Sequence, residues 1–469
     1  MEALALFSAL ALPWLLGIAV LLALDWPRNE TAGSALALRA GFGYMIGAIL
    51  LTFWMRMLSF AGLAFGWLSI AVPLAAVTAA LALYAVRAQR LSIAGARNAL
   101  KSLVRPGLPP LQHVLWLAIL AWLAIRFALL AGEIGWRPLY PWNAWVQWAT
   151  KARVWYELGR MVPFVDATTW LAGAPGAYFD ASPNDPATAP LLQVWTCIAI
   201  GRWDDSAMNW PWLAMLVSLT IAAYGVLRGE RAAPLVALLG AYIVASLPLL
   251  DVHVALAGYA DLPMGVVFTL AALATYRWCL RRDERDGAVA LFLALACPLI
   301  TNMGAVWALM LIPGVAVALM PRRGMRVLGI GAVLGVLALL VLVRAGPMID
   351  YPLHPTFAPM WSALFRNYFF LGNWNLLWYA LVVISVIGAR RLLGPPLAPL
   401  TAIAAAGLAF LFLVFALNDA PTWLTHLTTT SRTTLHIAPL LIVFGTLAWN
   451  QLAAPVPAQL AGAAAAGTA

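Results

Sequence analysis

The sequence predicts an all-α, polytopic transmembrane helix bundle of about thirteen spans, each built on roughly 20 mainly apolar residues. Three observations predict it. Of the 469 residues, 64% are hydrophobic and only 10% charged, whereas a large soluble domain keeps a polar, charge-rich skin. Apolar runs recur between short polar breaks without the roughly ten-residue alternation of a barrel, so the backbone must pair within helices. The net charge of +10 sits in turns between those runs, which orients helices and argues against a nucleic-acid module.

The first expected span, Leu4 to Leu24, follows a start without a positive n-region, and we read it as a retained helix rather than a cleaved signal. Gly41 to Phe60, Leu68 to Val86 and Leu111 to Ala131 come next. After a long segment follow Trp212 to Leu227, Pro234 to Leu250, Leu262 to Leu280 and Ala288 to Ile300. The last five are Ala305 to Met320, Val327 to Val343, Leu376 to Ala389, Pro399 to Leu417 and Ile437 to Trp449. Arg56 and Arg126 fall inside spans, where a charge is costly and normally faces a partner or cavity.

Basic turns at Arg87 to Arg105, Arg228/Arg231, Arg281/Arg282/Arg285, Arg322/Arg323/Arg326 and Arg390/Arg391 mark the cytoplasmic side. This parity requires that the apolar stretch Leu191 to Gly201 be re-entrant or interfacial rather than a span. Gly132 to Ser206, Asp251 to Asp261, Thr301 to Gly304, Arg344 to Asn373 and Asn418 to His436 then face outward with most of the acids, Asp350 and Asp419 included. The organisation expected is a membrane segment with a basic loop over 1–110, a core over 111–345, C-terminal helices over 346–451 and an unstructured tail over 452–469.

The outer segment is the distinctive part, because ten of the 23 tryptophans crowd between Trp136 and Trp212. Its stretch P-W-N-A-W-V-Q-W-A-T-K-A-R-V-W-Y-E-L, Pro141 to Leu158, puts Trp145, Trp148, Ala149, Ala152, Trp155 and Tyr156 on one helical face. The expectation is an amphipathic juxtamembrane helix lying along the surface, with Lys151 and Arg153 flanking its stripe where a lipid phosphate sits. Simple anchoring by an aromatic belt explains the same pattern without any ligand. The following A-Y-F-D-A-S-P-N-D-P-A-T-A-P, Ala177 to Pro190, carries two carboxylates at the boundary, where partial desolvation raises a carboxylate's pKa towards that of a general base.

With these residues in view, the chain resembles the glycosyltransferase C superfamily of integral membrane enzymes, over roughly Leu111 to Val343. Trp142-Asn143-Ala144-Trp145 with Trp148 to Arg153 is similar to an outer-loop W-D-A-W…W-x-x-K-A-R/K segment. Asn184 to Leu192 is similar to P-D-x-P-L-L-x-P, Gly258 to Pro263 reads G-Y-A-D-L-P unchanged, and Thr301 to Gly304 stands where K-N-E-G is expected. Arg432 to Pro439 is similar to R-x-x-L-H-x-x-P. Asn143 occupies the position of the expected acid, and an amide takes no proton at neutral pH.

The resemblance implies a bacterial inner-membrane enzyme, its active site facing the periplasm, that moves a sugar from a polyprenyl-phosphate donor to a glycan, lipid or protein acceptor. It implies no cofactor and no nucleic acid. On this reading Asp185 is the first candidate for the base and Glu133 the second, with Asn143 at the motif position. Lys151, Arg153, Asn302, Arg366, Arg432 and His436 are candidates for holding donor or phosphate, since guanidinium groups grip phosphate bidentately. Asp261 is a binding candidate that also starts a helix, where capping is its simplest role. His253, His354, His426 and His436 form no i, i+4 pair, and Cys197, Cys279 and Cys297 no C-x-x-C, so neither a dedicated metal site nor a disulfide is expected. The alternatives are a lipid-linked saccharide flippase or transporter, which needs a polar path through the bilayer centre, and a catalytically degenerate scaffold, for which Asn143 argues.

Overall fold

The structure, a computed structural model, describes residues 2–173, 175–345, 361–417 and 428–453. Asp350, His354, Asp419, His426 and the tail lie outside the described residues. The described chain is almost wholly helical, the exception being two short strands, β1 (Phe164–Val165) and β2 (Tyr178–Phe179), paired in parallel within the outer segment.

In chain order the helices are α1 (Glu2–Ala23), α2 (Ala32–Phe60), α3 (Trp67–Arg87), α4 (Ile93–Val104), α5 (Pro110–Trp136), α6 (Thr150–Leu158), α7 (Ala167–Leu171) and α8 (Thr188–Ile200). Then come α9 (Trp210–Gly229), α10 (Pro234–Ala245), α11 (Pro248–Ala255), α12 (Asp261–Arg281), α13 (Glu284–Ala296), α14 (Gly304–Leu309), α15 (Ile312–Leu319) and α16 (Gly324–Ala345). The last are α17 (Trp361–Phe365), α18 (Leu377–Leu392), α19 (Ala398–Leu417), α20 (Thr428–Leu435) and α21 (Ala438–Ala453). Among the described residues seven helices are long and apolar enough to cross a membrane, or nine if α10 with α11 and α20 with α21, each pair bent by 54°, count as one span apiece. The chain thus has the helices of an integral membrane protein. Nine of the thirteen expected spans correspond to these; the other four, Ala288 to Ile300, Ala305 to Met320, Val327 to Val343 and Leu376 to Ala389, fall on α13, on α14 with α15, on α16 and on α18, which are not among the helices counted.

The core is α12, sheathed by α2, α9, α13 and α21, and 94% of its apolar window is buried. By contrast α5 has only 17% of its window buried and stands at the edge. Small residues let α1 and α2 touch backbone to backbone: a Cβ on Gly47 would fall 1.6 Å from the Pro13 carbonyl oxygen, and one on Gly17 1.8 Å from that of Gly43. Helices in lipid associate through such close approach, since lipid tails are as apolar as leucine.

The ion pairs collect in two separate layers. One contains Arg126 with Asp251, Lys151 with Asp180, and Asp261 with Arg432 and His436. The other contains Glu30, Glu230, Arg277, Arg281 and Asp286, joined at 2.5–3.0 Å, with Arg277 and Asp286 almost wholly buried. Among the described residues no ion pair crosses between the layers. The first draws on loops and span ends that the basic-turn scheme assigns to the outer side, the second on those assigned to the cytoplasm. Helix α13 runs from one to the other: Asp286 in its first turn meets Arg277, and Leu299 just beyond its end accepts a hydrogen bond from Thr188. Along α12 the layers are joined directly, since Asp261 at its start belongs to the first and Arg281 at its end to the second, and its 21 residues rise roughly 30 Å, the thickness of a hydrocarbon core.

Candidate functional site

The residues Trp142 to Leu158 do not lie as one continuous stripe on the surface, as the helical wheel predicts. Ala144 to Ala149 form a π-helical turn leading into α6, and π turns change the angular register of the residues they carry. Trp148, Ala149, Ala152 and Trp155 are buried, with α6 packed against α8 inside the protein, while Trp145 stays 56% exposed. Lys151, expected at the phosphate level, is corrected most: it is 1% exposed, donates to the Ser182 carbonyl at 2.6 Å and lies 3.6 Å from Asp180 Oδ1. Burial pulls its ammonium below the usual lysine range and pushes Asp180 up, each charge resisting the other's shift.

That pair fixes the loop carrying Asp185. The Asp180 amide bonds the Val165 carbonyl beside the two-strand pair, and its carboxylate accepts the Ser182 amide at 2.6 Å. Asp185 then stands half-buried between two amide side chains. Gln147 Nε2 donates to Oδ2, and Asn302 Nδ2, from the turn before α14, donates to Oδ1 at 2.6 Å. Burial raises the Asp185 pKa above the ordinary carboxylate range, opposed by Lys151 and the Gln147 bond. Asn302 is exposed and Asp185 half-buried, so the bond between them lies at the protein surface. Asn302 therefore does join the cluster, as a carboxylate clamp.

Arg56, near the end of α2, reaches the start of α8 three residues after Asp185. Its Nη2 donates to Thr188 Oγ1 at 2.8 Å, Thr188 donates to the Leu299 carbonyl at 2.5 Å, and Arg56 Nη1 is buried with no partner among the described residues. Motif reading left Arg56 and Gln147 without roles and marked Asp180 only as one of two boundary carboxylates. For Arg56 the signal was an arginine inside a span, which does not say with what it pairs.

A second cluster forms where α12 meets α20. Asp261 does not cap α12, whose N-cap is Ala260. Its carboxylate accepts Arg432 Nε at 2.8 Å and pairs with His436 Nε2 at 3.2 Å. The guanidinium lies 4.3 Å over the Tyr259 ring, and among the described residues only its Nε is bonded. Arg432 is thus aimed by Asp261 with its two terminal nitrogens left over. Gly258, at φ +106°, makes the turn that brings Tyr259 and Asp261 here, and a Cβ on it would fall 2.7 Å from Leu139 and 2.9 Å from Ala144. The G-Y-A-D run therefore packs against the π turn that carries Gln147, and so links the two clusters.

Four expected site residues stay apart from both clusters. Glu133 pairs with Arg137 at 2.6 Å at the exposed end of α5, and Arg153 with Glu157 at 2.7 Å, its guanidinium 5.0 Å over Trp203. Asn143 is exposed at the start of the π turn, without a side-chain capping bond. Arg366 is exposed beside an apolar groove of 530 Å³ lined by Trp361, Phe365, Tyr368, Trp378, Leu408 and Phe412. Tyr368, on the groove wall, meets Thr434 Oγ1 at 3.0 Å, two residues from Arg432. Among the described residues no group of three His, Cys, Asp or Glu is arranged to hold a metal.

Comparison with known proteins returns nothing: no family model, no curated protein and no solved structure matches the chain.

Proposed function

We propose that the protein is a membrane glycosyltransferase that moves a sugar from a polyprenyl-phosphate carrier to an acceptor at the face where Asp185 lies, by a single displacement with inversion. The observation that carries this reading is Asp185 itself, half-buried and clamped by the Gln147 and Asn302 amides, the second of them at the protein surface. The two amides fix its geometry and burial raises its pKa, and both suit a general base. Asp185 takes the proton of the acceptor hydroxyl as its oxygen attacks the anomeric carbon, and the electron pair of the breaking bond leaves with the lipid phosphate.

The leaving phosphate needs cations, and fixed donors aimed at developing charge are where electrostatic catalysis gains most. Among the described residues Arg56 has one unbonded buried nitrogen, and Arg432, held through its Nε by Asp261, has two terminal nitrogens without a bond. Guanidinium is suited to phosphate through its fork of donors. The apolar groove next to Tyr368 supports a lipid carrier, because its aromatic wall ends on the helix that bears Arg432.

The testing experiment reconstitutes the full chain with polyprenyl-phosphate sugars and compares Asp185→Asn with wild type. A general base contributes typically 10²- to 10⁴-fold, so the variant loses transfer by about that factor while keeping its fold. Undiminished transfer contradicts the assignment, as does substrate translocation without transfer in the wild type, the behaviour of a flippase.

A further inference from the structure

We propose that α4 is an interfacial anchor whose basic face binds anionic phospholipid headgroups at the membrane surface where α3 ends and α5 begins. The inference does not depend on glycosyl transfer. From Arg87 to Arg105 the chain carries Arg87, Arg90, Arg97, Lys101 and Arg105 and not one acidic residue. Among the described residues, none of Arg87, Arg97, Lys101 and Arg105 makes an ion pair, and all four are exposed. Solvated helices balance such charge with acids at i, i+4, and this one does not.

The same helix exposes bulky apolar groups. Ile93 is 91%, Leu100 58% and Val104 49% exposed. At 100° per residue these three lie within about 40° of arc, and Arg97 and Lys101 follow directly beside them. The opposite edge, Ala99 and Leu103, packs on the protein: Ser102 and Leu103 lie against Gly33, where a Cβ would come within 2.5 Å of Ser102 Oγ. Around the helix run a protein-packed edge, a bare apolar stripe and then a basic stripe. That order fits a helix half sunk in the interface, with its apolar stripe in the acyl boundary and its basic stripe at headgroup level.

Its depth is set by neighbours rather than by the helix. Gly33 is in the first turn of span α2, Arg87 ends span α3, and Pro110 begins span α5. All three mark the same end of the bundle, beside the Glu30 to Asp286 ion layer. Packed there, α4 is held at the bilayer edge, and the partner within reach is lipid. Charge complementarity makes it anionic lipid, with each basic residue near such a surface worth about 1 kcal/mol, or about fivefold in preference.

The test uses the full chain with Leu100→Cys carrying a nitroxide, because Cys197, Cys279 and Cys297 are buried. It is placed in vesicles of phosphatidylcholine with phosphatidylglycerol and in vesicles of phosphatidylcholine alone. The expected result is a label in contact with oxygen rather than a water-soluble nickel chelate in the anionic vesicles. Retention of phosphatidylglycerol over phosphatidylcholine should fall about fivefold for each charge removed in Arg97→Gln, Lys101→Gln and Arg105→Gln, and should weaken in high salt for the unsubstituted helix. A label that stays in water in both vesicles, or equal retention of the two lipids by the wild type, overturns the proposal. The salt comparison needs no charge variant, so a misfolded variant does not decide the outcome.

Discussion

At the scale of single residues, the account rests on how carboxylates and cations are held. Asp185 is raised by burial, and a base works only when deprotonated. Transfer should therefore fall on acidification with a midpoint above the ordinary aspartate value of about 4, and a limb at or below that value contradicts the assigned base. Lys151 and Asp180 are a different case, since both are almost completely buried and face each other at 3.6 Å. Removing one partner of such a pair strands the other's charge and costs about 3–5 kcal/mol, whereas apolar replacement of both is often nearly neutral. Thermal unfolding in detergent should accordingly show Lys151→Met more damaging than Lys151→Met with Asp180→Leu. Residues of this kind were only half legible in sequence. The A-Y-F-D…N-D-P run announced carboxylates at a boundary, but it did not say that Asp180 serves Lys151 while Asp185 takes the amides.

At the scale of elements, apolar runs and basic turns located most helices, because both report directly on the lipid solvent. The outer segment departed from expectation for a local reason. A wheel drawn at 100° assumes an unbroken α-helix, and the π turn over Ala144 to Ala149 breaks that assumption just before Lys151. Helices α13, α14 and α15 are each too short to count as a span by length, which hydropathy does not record because it reports composition and not where a helix stops. Close packing was also invisible in composition. At the α1–α2 crossing, Gly47→Ala should destabilise by about 3 kcal/mol, the upper end for overpacking, since its Cβ meets backbone rather than a movable side chain. Gly331→Ala, with open space around it, should not lower the melting temperature, and equal effects of the two would remove close approach as the cause.

At the scale of the whole molecule, the two ion layers are what the charge pattern of the turns implied but could not assemble. Arg277 meets Glu30 and Asp286, and Arg432 meets Asp261, across separations of nine to 247 residues in sequence. Each joins loops or span ends that lie on one side of the basic-turn scheme. The functional reading requires the layer with Asp185 to face outward, where a lipid-linked sugar and its acceptor meet. The direct measurement is labelling by a membrane-impermeant maleimide in right-side-out vesicles. Single cysteines would replace Asn184, exposed beside Asp185, and Glu284, exposed beside the Arg277 layer. The account predicts that Asn184→Cys is labelled in sealed vesicles and Glu284→Cys only after they are opened. Labelling of Glu284→Cys in sealed vesicles, with Asn184→Cys protected, would contradict it.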